Sequence, residues 1–193
     1  MENSLKFIRG ARIQEQLDKL QVALEETSLG QLNNNTLSFI PPSERRQNVT
    51  APLRVKKMIL VPMRGQRDTG DLKVEAKVQS GQHEYDATIL FHGVIYEDQD
   101  RPDNISFMGP DKREVHMVPI QLNRNNCEVR CTCLDFYFTF SKWNQSDKSL
   151  YGEPPAPYIP KTNRAPRNPQ HKPGLCKHLI KVMQELKTER VVR

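Results

Sequence analysis

An α+β fold is what this 193-residue chain predicts, with an antiparallel β meander set between an N-terminal amphipathic helix and a second helix near the C-terminus. Three observations carry the prediction. Apolar residues recur at helical spacing over 11–27, short β-rich runs divided by turn signals extend from Leu53 to about Phe140, and a second helical stripe runs from Leu179 to Leu186. With 36% hydrophobic residues and a mean hydropathy of -0.70, the chain suits one domain, or one with a small appendage, with a lean core and a polar surface. No apolar run approaches the ~18 residues of a membrane span, and "MENSLKFIRG" lacks the apolar region of a signal peptide. Synthesis in a reducing cytoplasm is expected, where paired thiols bind metal or stay reduced more often than they form disulfides.

Residues 1–54 read as a helix followed by an extended arm. In "ARIQEQLDKLQVALEET", Ile13, Leu17, Leu20 and Leu24 fall on one face, which either docks on its own domain or is offered to another subunit. The Asn-rich and then Pro-rich stretch over 28–54 reads as a linker or a surface arm, ordered only by something it lies upon. Residues 55–126 read as the antiparallel β region. Its runs are "VKKMILV" (55–61), "DLKVEAKV" (71–78), "YDATILFHGVIY" (85–96), "NISFM" (104–108) and "EVHMVPIQL" (114–122). In the second of these, Leu72, Val74, Ala76 and Val78 alternate with polar residues, which predicts one buried face and one wet face. "CEVRCTCLDFYFTF" reads as a continuation of the sheet, with Phe136, Phe138 and Phe140 on one side as core.

Residues 127–193 hold the chemistry. Seven of the 14 prolines lie between Pro154 and Pro173, which excludes helix and interior strand there. A loop of this length becomes sensible when its two ends are tied at one point, because loop closure becomes costlier only slowly with length. Cys131 and Cys133 form a C-x-C pair, Cys176 and His178 form a C-x-H pair, and 42 residues separate them. Together they make a Cys₃His set, a common closed shell for Zn²⁺. Alternate strand residues sit ~6.6 Å apart along the strand, so the strand must bend at Thr132 to bring both sulfurs to one ion. Positions i and i+2 of a helix point about 200° apart, so Cys176 belongs just before a helix and His178 in its first turn. Leu179, Ile180, Met183 and Leu186 supply that helix's apolar stripe, and Lys187 and Arg190 suit its C-terminal dipole. The plainer alternative is a set of unlinked buried thiols and a satisfied histidine. Cys127 is either a buried thiol or a substitute ligand, and His171 is a weaker substitute.

The C-x-C…C-x-H pattern resembles the SWIM zinc-binding module, a small ββα unit assigned to DNA or protein binding. The longer run "VRCTCLDFYFTF…LYGEPPAPY…NPQHKPGLCKHLIKVMQEL" is similar to SWIM-like proteins of large tailed bacteriophages. The resemblance covers roughly 85–193. It implies a zinc-clipped ββα unit, the ligands Cys131, Cys133, Cys176 and His178, and a virion component made in the host cytoplasm and bound to other virion structural proteins. The gap between the pairs is longer than in most such modules, and Leu134 stands where the phage proteins often have Pro.

Charge adds a second reading. Residues 142–193 carry 11 Lys and Arg against 4 Asp and Glu, so the whole surplus of +6 lies in this last part. Lys161, Arg164, Arg167, Lys172, Lys177 and Lys181 are candidates to meet nucleic-acid phosphates, weakly and without sequence preference, or an acidic neighbouring protein. Catalysis has little support. A closed four-ligand shell leaves no site for water or substrate, no phosphate loop or nucleophile motif occurs, and Asp135 beside the Cys pair suits ligand orientation or a solvated strand end. No small-molecule substrate is expected.

Overall fold

The computed structural model describes residues 27–38, 52–65, 69–156 and 167–193. The stripe of Ile13, Leu17, Leu20 and Leu24 lies outside these residues, as do Lys161 and Arg164. The fold is a mixed α+β arrangement built on a curled six-stranded sheet whose strand pairs are all antiparallel.

The first described element departs from the reading of 28–54 as an arm over residues 28–38, while residues 39–51 lie outside the described residues. Helix α1 spans Leu29–Leu37, opened by Ser28, whose Oγ accepts the Gln31 N–H at 3.3 Å. The Asn-rich composition is a weak helix former. Burial of Leu29 and Leu32, both fully inside, together with the serine cap, overrides it. The helix is stitched to the rest of the chain by Gly30 N–H to Leu122 O at 2.8 Å and by Cys127 N–H to Thr27 O at 3.1 Å.

Strands β1 (Arg54–Arg64), β2 (Thr69–Ser80) and β3 (His83–Glu97) form the long part of the sheet. Pro62 is tolerated because β1 lies at the end of the strand order. Leu72, Val74, Ala76 and Val78 all face inward, as their alternation predicts. The 15 residues of β3 serve two neighbours in succession. Its first half pairs with β6 (Cys127–Cys131), from Ala87 opposite Cys131 to Phe91 opposite Cys127. Its far end pairs with β5 (Glu114–Met117), which in turn pairs with β4 (Ile105–Met108). The change of neighbour falls at Gly93, whose φ of +64° is open to glycine at little steric cost. The run expected over 114–122 stops at Met117, and Ile120 instead forms a single parallel bridge with Val192.

The sheet does not continue through the phenylalanines. β6 ends at Cys131, and two short helices follow, α2 (Leu134–Thr139) and α3 (Ser141–Ser146). Three Phe at alternate positions fit a strand, but Cys133 caps a helix, and the i, i+4 pair Phe136 and Phe140 is then buried on one side. Phe138 and Leu134 form the outward i, i+4 pair, 38% and 68% exposed. Helix α4 (Lys177–Thr188) buries Leu179, Ile180, Val182, Met183 and Leu186 and lies against β1, β2, β3 and β6. One continuous apolar core joins the sheet to α1, α2 and α4, while α3 buries the polar Ser141 and Asn144.

The described flanks of the Pro-rich stretch are held by the chain itself. On the outgoing side, Val129 N–H bonds Ser149 O at 2.8 Å, and the Arg130 guanidinium bonds Tyr151 O at 2.8 Å and Glu153 O at 2.6 Å. On the return, the buried Asn168 side chain donates to Thr139 O at 3.0 Å and to Lys172 O at 2.7 Å. His171, in a left-handed conformation with φ +56°, stacks on Trp143 with ring centroids 4.2 Å apart.

Candidate metal centre

Three turns of structure deliver the donors. Cys131 is the last residue of β6 and points into the core. Thr132 then leaves the strand, held by its N–H to Asp86 O and by the Asp86 N–H to its Oγ1, each at 3.0 Å. This bend returns Cys133 to the side of Cys131, where it opens α2 and its Sγ accepts the Phe136 N–H at 3.3 Å. Cys176, extended at φ -78° and ψ 167°, caps α4, and His178 is the second residue of that helix.

The segment before Cys176 is fixed from two sides. Asn144 of α3 accepts the Gly174 N–H at 2.9 Å and donates to Gly174 O at 3.2 Å. Thr36 of α1 accepts the Leu175 N–H at 2.7 Å and donates to Leu32 O at 2.9 Å. Gly174 is needed there because a side chain at that position would meet both Thr36 and Phe140.

Cys131, Cys133, Cys176 and His178 therefore share one buried pocket, with their ligand atoms all within 4.8 Å of one another. Cys131 Sγ lies 3.8 Å from His178 Nδ1, close to the ~3.5 Å edge that follows from tetrahedral bonds of about 2.3 Å to sulfur and 2.0–2.1 Å to nitrogen. The group can hold a metal ion. Its electrostatics fit a cation. Hydrogen bonds from the Cys131 and Cys176 thiols and from the Phe136 amide hold the Cys133 thiol far below its usual range. The shared hydrogen bond with Cys133 pushes Cys131 up, and burial above all pushes Cys176 up. A positive charge beside the three sulfurs would favour their thiolate forms. His178 Nε2 is buried without a hydrogen-bond partner, and Nδ1 meets only sulfur. Nδ1, the nitrogen turned toward the thiols, is thus the one placed to serve as a metal ligand.

The other candidates are placed differently. Cys127 is buried on β6 outside the group, its thiol pushed up by burial and by the nearby charges of Asp147 and Glu128. His171 is occupied by Trp143. Asp135 lies in the first turn of α2, where its carboxylate accepts the Thr139 hydroxyl at 3.1 Å. Arg167 and Lys172 are exposed. Lys177 donates to Ser80 Oγ at 3.1 Å, and Lys181 pairs with Glu185 at 3.3 Å, so these two are partly engaged within the chain. Sequence reasoning missed Thr36, Asn144 and Tyr85, whose ring lies against that of His178. Each acts across more than 29 positions, and no local spacing marks it.

Cys127→Ser is expected to keep the full metal complement by elemental analysis. Stability should fall by about 1–3 kcal/mol as a hydroxyl enters an apolar position. Loss of metal in this variant would make Cys127 a ligand. No protein-family model, curated protein or solved structure matches the chain.

Proposed function

We propose that this protein is a zinc-stabilised structural subunit that works through contacts with other proteins. The observation that carries the proposal is the closed, buried Cys₃His group, which joins β6 and α2 to the start of α4. Three thiolates and an imidazole in tetrahedral reach suit Zn²⁺, and four protein ligands leave no coordination position for water or substrate. The role is therefore structural and not enzymatic. No described helix is long and apolar enough to cross a membrane. The setting in a tailed-phage virion, in capsid, neck, tail or baseplate beside other virion proteins, rests on the sequence resemblance of the C-x-C…C-x-H run. In that setting the chain is made in the host cytoplasm and carried in the particle.

Purified full-length protein should retain about one equivalent of zinc after dialysis, and Co²⁺ in its place should give the visible bands of a tetrahedral thiolate site. Absence of bound metal would overturn the reading. Exposed Arg167 and Lys172 support a second role, in weak binding of nucleic acid. Neutralising both as Arg167→Gln and Lys172→Gln should weaken docking to an acidic protein neighbour and leave metal content unchanged, since exposed charges add little to folding. Duplex DNA binding should be non-specific and fall steeply between low and physiological salt. Tight, sequence-selective binding at physiological salt, lost in the double variant, would favour the nucleic-acid role instead.

A further inference from the structure

A histidine that binds metal is ordinarily aimed by a hydrogen bond from its second nitrogen to a carboxylate, a carbonyl or a water. His178 lacks such a partner among the described residues. Its Nε2 is buried and unpaired, and its Nδ1 faces the Cys131 sulfur at 3.8 Å. Lying against the ring is Tyr85 of β3, with centroids 4.4 Å apart and planes tilted by 30°. Tyr85 is itself fixed by the sheet, paired with Val78 of β2 near the β2–β3 turn and packed on the core.

We propose that Tyr85 is the positioning residue of the metal centre, clamping the His178 imidazole by ring stacking in place of a hydrogen bond, so that metal retention depends on a residue of the sheet far outside the C-x-C and C-x-H pairs. This rests on the metal-binding reading of the four donors. Van der Waals contact between rings fixes the plane of the imidazole and shuts out water from that side, while the phenol hydroxyl takes no part. The contribution therefore belongs to the ring, and phenylalanine should supply it in full.

The test uses the full chain loaded with zinc and measures the rate of transfer to a chromogenic chelator, with Co²⁺ spectra recording the ligand set. Tyr85→Ala should speed release by about 10-fold or more, the size expected when support behind a ligand is lost. Tyr85→Phe should stay within about twofold of the parent. The same Tyr85→Ala change in a His178→Cys background, where four sulfurs hold the metal and no imidazole remains to be clamped, should have little effect on release. Equal acceleration by Tyr85→Ala in both backgrounds would show general loosening of the core and overturn the proposal. So would an unchanged release rate in Tyr85→Ala alone. A parent protein that takes up neither Zn²⁺ nor Co²⁺ would instead sink the metal reading itself, and it would do so before any variant is compared.

Discussion

Removing the metal with a chelator should lower the thermal midpoint of the full chain by roughly 8–16 °C, and Cys131→Ser or Cys176→Ser should lower it by a similar amount. A ligand present at about a thousand times its dissociation constant adds about 4 kcal/mol to the native state, and a domain of this size shifts by about 2–4 °C per kcal/mol. Without the ion, the pocket keeps three thiols and an imidazole Nδ1 that faces only sulfur inside the core. It also loses the tie across the 42 residues between Cys133 and Cys176. The cysteine variants should be insensitive to chelator, since they have no metal left to lose. Scanning calorimetry with and without chelator checks both statements. A midpoint that ignores chelator in the parent protein would mean that the four donors contribute as ordinary core residues.

Gly174→Ala should destabilise the fold by roughly 2–6 kcal/mol. A methyl group there would lie 2.6 Å from Thr36 Oγ1 and 2.7 Å from Phe140 Cε1. Neither neighbour can yield easily. The Thr36 hydroxyl is held between Leu175 N–H and Leu32 O, and Phe140 is fully buried. Overpacking of this kind costs about 1–3 kcal/mol. The accompanying shift of the Gly174 backbone strains its two bonds to Asn144 and leaves buried polar groups unmet, for about 1–3 kcal/mol more. Urea titration should show a lower midpoint at an unchanged slope. A loss below about 1 kcal/mol would mean that α1 shifts freely against this segment.

The legible parts of the sequence were those in which chemistry or period acts locally. Cys131, Cys133, Cys176 and His178 stand out because C-x-C and C-x-H place donors at a spacing with few other uses, and the four do lie together. The alternation of Leu72, Val74, Ala76 and Val78 declares its buried face by period alone. What escaped depends on distant contacts. The Asn-rich helix α1 has little propensity of its own and forms because Leu29 and Leu32 have somewhere to go. The three alternating phenylalanines satisfy a strand and a helix equally well on two of their three positions, and the Cys133 cap decides between them. Tyr85 meets His178 across 93 positions of sequence, a contact that no window of residues contains.

The clip between Cys133 and Cys176 also sets an order of events during synthesis. At about 5–20 residues per second, the ribosome needs roughly 2–9 s to pass from the first pair of donors to the second. Through that interval Cys131 and Cys133 are a bare dithiol on a nascent chain, able to take up a metal ion only loosely or to be oxidised. Helix α1, which steadies Leu175 through Thr36, is already made by then and waits for the segment that it will brace. All four donors can therefore meet one metal ion only once His178 has been made, and until then the first pair depends on reducing conditions to stay as thiols.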